Sequence, residues 1–286
     1  YKLDTGGYLA ERSVGTAISL SGLTDGAHTL FVIGRDAVGN WQAVPTTVSW
    51  RVDTTPPSAT LSGQPFGTVN TTTANINVAG IDVVVYQYKL DGGEFGAETP
   101  VATPIALSGL TEGTHTLSVI GRDAIGNWQD EASAATANWN INTTASLAVL
   151  SGQPVGIVNT TTANITVGGP DIVAYQYRID GSALSAETPI ATPITLSELS
   201  EGVHTVSVIG RDSNGNWQSE DSATVTSWTI DLTAPFAVLS GAPSGIVNTT
   251  TANITVGGVD VVAYKYKLDE GSLSDENPAS APIILS

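Results

Sequence analysis

A four-residue phrase recurs along this chain at the spacing of a small domain. Tyr1-Lys-Leu-Asp4 returns as Tyr88-Lys-Leu-Asp91, Tyr177-Arg-Ile-Asp180 and Tyr266-Lys-Leu-Asp269, in steps of 87, 89 and 89 residues. Gly34-Arg35-Asp36 recurs at Gly121-Arg122-Asp123 and Gly210-Arg211-Asp212, and the run from Val69 to Asn75 recurs from Val158 and from Val247. This period is too long for a solenoid unit or a propeller blade and matches an independent domain. The repeat divides the chain into residues 1–53, the back part of a domain; 54–142 and 143–231, two complete domains; and 232–286, the front part of another.

Within a repeat the apolar residues alternate over short runs, the pattern of strands with one buried face. Between Asp53 and Asn142, Ala59 and Leu61 open a first strand. Ala74, Ile76 and Val78 share one face of a second, and Tyr86, Tyr88 and Leu90 one face of a third that ends in the turn Asp91-Gly92-Gly93. A short strand runs from Pro104 to Leu110. His115, Leu117, Val119 and Gly121 form the inner face of a penultimate strand, and Ala137, Trp139 and Ile141 that of the last. Helical periodicity is absent, so the expectation is all-β: antiparallel β-sandwiches in a linear array. The other copies agree, since inward Leu117 corresponds to Leu30 and Val206, whereas the outward position reads Phe31, Ser118 and Ser207.

Composition excludes several classes. There is no cysteine, hence no disulfide and no thiolate metal site. A net charge of −17 with only 10 basic residues opposes binding to nucleic acid or to anionic membranes. No apolar run is long enough to insert in a bilayer. The chain contains no methionine, which leads us to expect a processed product, a fragment or a window on something longer; because the partial domains split a repeat, a window on a longer repeat protein is favoured, with strand donation between copies as the alternative way to complete them.

The stretch from Leu107 to Asn127, with its Gly-x-His-Thr strand and Arg-Asp-x-x-Gly-Asn loop, and the linker from Trp50 to Pro56 resemble bacterial immunoglobulin-like repeats. These are relatives of fibronectin type III and cadherin-like modules. The resemblance spans the whole chain. It implies an extracellular or cell-surface location and a role as stalk or filament of an adhesin, with neighbouring copies or the continuing chain as head-to-tail partners and surface glycans or other cells as targets. Such repeats also occur as accessory modules of secreted glycan-degrading enzymes, which makes a carbohydrate-binding role the alternative; the near identity of the copies favours the stalk. The three histidines, His28, His115 and His204, occupy the place of a corner tyrosine in the fibronectin-like relatives. A buried imidazole bonded to backbone is the expectation there. No nucleophile or metal spacing accompanies them, so no enzyme is expected.

Alternating strands place opposite loops of successive domains at each joint. The first joint then collects Asp4, Asp25 and Asp53 with Asp82, Asp123 and Asn127. The second collects Asp91, Glu112 and Asn142 with Asp171, Asp212 and Asn216, and the third Asp180, Glu201 and Asp231 with Asp260. Such oxygen donors suit calcium, which the cadherin resemblance also implies. The competing expectation is turn chemistry, in which Asp and Asn bond nearby backbone and arginines 35, 122 and 211 pair with neighbouring aspartates. Asn142 in place of a linker aspartate weakens the calcium reading at the second joint. Trp41, Trp128 and Trp217 follow the loops and are candidates for stacking on sugars or for covering protein surface. Trp50, Trp139 and Trp228 are expected in the core. Asn70, Asn142, Asn159, Asn164, Asn248 and Asn253 lie in Asn-x-Thr sequences and are candidate glycosylation acceptors.

Overall fold

The computed structural model describes residues 1–286, and almost every regular element is a β-strand. In residues 1–53, β1 (Lys2–Leu3), β2 (Gly26–Val32) and β3 (Thr46–Val52) make one antiparallel sheet.

The next repeat builds two sheets. Its strands are β4 (Ser58–Ser62), β5 (Gly67–Val69), β6 (Ala74–Ile81), β7 (Val85–Leu90), β8 (Thr99–Pro100), β9 (Ile105–Leu107), β10 (Gly113–Arg122) and β11 (Ala135–Ile141). One sheet has the order β4-β6-β9 and the other β5-β11-β10-β7-β8. The alternation of the sequence becomes the two faces of each strand. His115 lies opposite Trp139, and Leu117 lies between Ala137 and Leu90 on the face that packs inward. Ile76, Ile105, Tyr86, Leu117, Val119, Trp139 and Ile141 form the buried centre. At about 1.5–3 kcal/mol per fully buried large side chain, this cluster supplies most of what holds the sheets together.

One departure from the expected antiparallel order follows the first strand, which Ala59 and Leu61 open. β4 pairs with β6, whereas β5 pairs in parallel with β11 of the opposite sheet. The switch falls at Gly63-Gln64-Pro65, where Gly63 has φ 77° and Pro65 has no N–H to give to a ladder. A second tight place is Gly80, at φ 150°, where a Cβ would sit 2.1 Å from the Ser58 carbonyl oxygen. A side chain there would push β4 off β6.

Residues 143–231 repeat the plan with β12 (Val149–Ser151), β13 (Ile157–Val158), β14 (Ala163–Gly168), β15 (Ile172–Ile179), β16 (Thr188–Pro189), β17 (Ile194–Leu196), β18 (Gly202–Asp212) and β19 (Thr224–Ile230). Sheet orders are β12-β14-β17 and β13-β19-β18-β15-β16, again with one parallel pair, β13 on β19. The centre holds Ile165, Tyr175, Ile194, Val206 and Trp228. Residues 232–286 carry β20 (Val238–Ser240), β21 (Ala252–Gly257), β22 (Ala263–Tyr264), β23 (Asn277–Pro278) and β24 (Ile283–Leu285), around Val256, Tyr264 and Ile283. The three clusters share no residue. By backbone proximity the chain falls into two units, residues 1–145 with 212–216, and residues 146–211 with 217–286. No helix is long and apolar enough to cross a membrane.

Candidate functional site

Most of the acids singled out in the sequence are engaged in hydrogen bonds to their own chain, the exceptions being Asp82, Asp171 and Asp260. Asp123 is buried at the start of the loop between β10 and β11. Its Oδ1 accepts from the backbone N–H groups of Ile125 (2.9 Å), Gly126 (2.7 Å) and Asn127 (2.8 Å), and its Oδ2 from the Asn127 amide (2.8 Å). Burial alone would raise its pKa, but these donors outweigh burial and hold the carboxyl below the usual range. Asn127 Nδ2 also donates to the carbonyl of Asp53 (3.0 Å), 74 residues earlier. This ties the linker to the loop of the following repeat. Asp36 and Asn40 form the same loop, as do Asp212 and Asn216. Residues 212–216 belong to the first unit, and there Asn216 Nδ2 donates to the carbonyl of Asn142 at 3.0 Å.

The linker itself is gripped from below. Asp25 Oδ1 accepts from the Thr54 N–H (2.9 Å) and hydroxyl (2.7 Å), and its Oδ2 accepts from the Thr55 hydroxyl. Glu112 does the same for Thr143 and Thr144, and Glu201 for the Thr233 hydroxyl. The threonine hydroxyls, Thr55 before Thr54 and Thr143 before Thr144, hold Asp25 and Glu112 below the ordinary carboxyl range. The linker residue Asp53 accepts from the Thr55 N–H at 3.2 Å, Asn142 from Thr144 at 3.0 Å and Asp231 from Thr233 at 2.9 Å. The asparagine makes the same bond as the aspartates. The position therefore needs an acceptor oxygen and not a charge.

Asp4, Asp91 and Asp180 sit at left-handed turns (φ 51°, 52° and 50°), each with one oxygen on a histidine and the other on a threonine N–H. Asp82, Asp171 and Asp260 also take positive φ, 63°, 57° and 59°, a conformation that Asp tolerates better than most residues. No three acidic or histidine side chains are gathered closely enough to hold a metal ion. The joint carboxylates of Asp4, Asp25, Asp53, Asp123, Asp180, Asp212 and Asp231 lie in separate turns, each accepting from local donors.

The arginines also depart from expectation. Their partners are glutamates: Arg35 meets Glu11 (2.6 Å), Arg122 meets Glu98 (2.9 Å) and Arg211 meets Glu187 (2.7 Å). Each guanidinium also lies over a tryptophan ring, Trp41, Trp128 or Trp217, at 5.8, 5.6 and 5.9 Å. One face of each candidate stacking ring is thus taken by protein. Trp139 and Trp228 are in the core as expected, and Trp50 is half-buried. Of the candidate glycosylation residues, Asn70, Asn159, Asn164, Asn248 and Asn253 are exposed, whereas Asn142 is half-buried and bonded in its linker turn.

Two buried polar groups escaped the reading of the sequence. Gln129 Oε1 accepts from Ala59 N (2.9 Å) and Gly121 N (3.2 Å), and its Nε2 donates to the Ser133 carbonyl, joining β4 to β10. Gln218 does the same with Ala148, Gly210 and Ser222. Tyr86, Tyr175 and Tyr264 donate their hydroxyls to the carbonyls of Thr103, Thr192 and Ala281. The signal was present: Gln42, Gln129 and Gln218 each follow a tryptophan at the repeat spacing.

Comparison with known proteins adds limited detail. No family model matches the chain. Chitinase A1 of Niallia circulans is 26% identical over 245 residues, which is 82% of this chain and 34% of that protein. The chain therefore spans about a third of the length of this curated relative. Among solved structures, the fibronectin(III)-like modules of Clostridium thermocellum CbhA align with 60% of this chain and 92% of theirs, at 16% identity and a TM-score of 0.33. A Ca2+-stabilized ice-binding adhesin of an Antarctic bacterium aligns with 84% of this chain and 67% of its own, at 16% and 0.41. A 1.5-MDa bacterial ice-binding adhesin aligns with 74% and 80%, at 17% and 0.42. Overall superposition is low in each case, and the architecture rests on the sheets and registers described above.

Proposed function

We propose that this chain is a non-catalytic, extracellular spacer: a run of immunoglobulin-like domains at 1–53, 54–142, 143–231 and 232–286 that sets distance on a microbial surface. The observation that carries this reading is the first joint. Asn127 holds the Asp53 carbonyl from one side while Asp25 holds Thr54 and Thr55 from the other. A linker that only connected two domains would have no need of bonds to both. Prolines 56 and 57 restrict it further by fixing φ. Each complete repeat contributes roughly 35–45 Å of length, from strands of 7–8 residues at about 3.3 Å each plus loops. The partners are the adjoining repeats of the same polypeptide, head to tail. The net charge of −17 keeps such a chain away from nucleic acid.

Spin labels test the joint. Since the chain lacks cysteine, Thr47→Cys and Thr136→Cys, two exposed and equivalent positions on β3 and β11, can be labelled cleanly. The account predicts a narrow distance distribution that broadens in Asn127→Ala combined with Asp25→Ala. Equal widths in both proteins would remove the clamped joint.

A second reading is favoured by the similarity to Chitinase A1. As an accessory module of a glycan-active protein, the chain would bind chitin through Trp128, and Trp128→Ala would abolish retention on chitin beads.

A further inference from the structure

One buried histidine recurs at the repeat spacing, as His28, His115 and His204, held between a carboxylate and a backbone carbonyl. His115 is buried on β10, with ring Nδ1 2.7 Å from Asp91 Oδ2 and ring Nε2 2.8 Å from the Thr111 carbonyl oxygen. A carbonyl oxygen only accepts, and so does an ionised carboxylate. A neutral imidazole has one N–H and one lone pair, so it can satisfy only one of these two neighbours. Asp91 is ionised at neutral pH: burial would raise its pKa, but the Thr116 N–H, 2.8 Å from Oδ1, and the His115 ring outweigh burial and hold the carboxyl below its usual range.

We infer that His115 is an imidazolium at neutral pH, and that its second proton fastens the corner before β10 to the turn after β7. The other groups facing the ring do not compete. Trp139 on β11 lies 5.9 Å away, centroid to centroid. The inward residues of β4, β6 and β9 (Ala59, Leu61, Ala74, Ile76, Val78, Ile105 and Leu107) carry no charge. Tyr88 and Leu90 on β7 and Leu117 on β10 belong to the same apolar cluster. Glu112, at the corner, is spent on Thr143 and Thr144. Asp91 is thus the titratable group that sets the state of the ring. Both the Thr111 carbonyl and Asp91 act to raise the His115 pKa, in that order of size.

The release order follows from charge. When a solvent base removes one proton, the N–H left behind stays on Nδ1, facing the carboxylate. The bare Nε2 then meets the Thr111 carbonyl, lone pair to lone pair. The corner lets go first, and the turn stays attached. The same geometry recurs at His28 (2.8 Å to Asp4, 2.7 Å to Thr24) and at His204 (2.8 Å to Asp180, 2.8 Å to Ser200). Every such repeat therefore carries a proton-operated fastener, and loss of the proton loosens the chain at repeated, regular points.

Nitrogen-15 spectra of the histidine rings in the full chain, recorded from pH 5 to 10, test this, with His115 assigned by its loss in His115→Gln. The expected result at pH 7 is two protonated ring nitrogens, then titration to a single-protonated Nδ1 form at a pH above that of free histidine. Amide exchange around Thr111 should quicken in step. In Asp91→Asn the amide can hydrogen-bond a neutral ring, so His115 should be neutral at pH 7 and corner exchange should no longer follow ring titration. A wild-type ring with one protonated nitrogen at pH 7 overturns the inference, and that spectrum needs no variant to fold. So does an Asp91→Asn protein that keeps the wild-type titration.

Discussion

Replacing Gln129 with alanine isolates the interior polar pin of one repeat. The side chain is 5% exposed and satisfies three backbone groups: the N–H of Ala59, the N–H of Gly121 and the carbonyl of Ser133. Alanine reaches none of them. A buried group left unpaired costs about 1–3 kcal/mol, and the second lone pair of the carbonyl makes its loss the smallest of the three. The two N–H groups and the vacated volume together give roughly 3–5 kcal/mol, a large share of the stability expected for a repeat of this size. At about 1.4 kcal/mol per decade, the opening equilibrium rises at least about a hundredfold. Hydrogen exchange read peptide by peptide on the full chain resolves this. Peptides from 54–142 should lose protection, with Ala59 and Gly121 among the fastest. Peptides from 143–231, where Gln218 is intact, should be unchanged. The same substitution at exposed Gln42, whose partners are Gly34, Val44 and the Thr46 hydroxyl, should cost less than about 1 kcal/mol because water replaces it. A loss below about 1 kcal/mol at Gln129, or an equal loss in both repeats, would refute the reasoning.

Other outcomes follow from the same geometry. The clasp between Asp91 and His115 has two pH limits. The folded Asp91 pKa lies below 3.8, since the Thr116 N–H and His115 outweigh the effect of burial, so its contribution is present above 3.8 and lost as pH falls through the lower folded value. The folded His115 pKa lies above 6.5, so its contribution is present below 6.5 and lost as pH rises through the folded value. The thermal midpoint should therefore be highest between these limits and fall on both sides, with the alkaline fall absent in Asp91→Asn. Exchanging linker residues, Asp53→Asn or Asn142→Asp, should change stability by less than about 0.5 kcal/mol, whereas Asp53→Ala, which removes the acceptor for Thr55, should cost about 1 kcal/mol by chemical denaturation. Chelation with EDTA should shift the melting temperature by less than about 1 °C, because the joint acids already accept bonds from protein donors; a fall of several degrees, restored by calcium, would assign the joints to the cation.

The strands were legible because burial is periodic. Ile76, Leu117 and Trp139 could be assigned inward from alternation alone, and three copies of each position separated tolerated serine from required apolar residues. The switch of sheets after the first strand was not legible, since Gly63 and Pro65 interrupt a run without saying which sheet the chain joins next. The joints were half legible. Sequence placed Asp25 and Asp53 near one another, but a carboxylate that accepts from a threonine and one that ligates a metal look alike in a sequence. The asparagine at 142 was the clue that charge is dispensable there. His115 was readable as a buried ring bonded to backbone, but not as one paired with Asp91, because that contact spans 24 residues and depends on the left-handed turn at Asp91. The glutamate partners of the arginines were missed for the same reason, as Glu98 precedes Arg122 by 24 residues.

Pulling single molecules of the full chain by its ends tests the central claim, that each complete repeat encloses its own interior. Residues 54–142 and 143–231 should yield in two separate steps of equal size, each releasing about 270 Å: about 89 residues at roughly 3.5 Å, less the folded span. A single rupture of about twice that length, or a smooth extension without steps, would mean that the two interiors are not independent and would contradict the account.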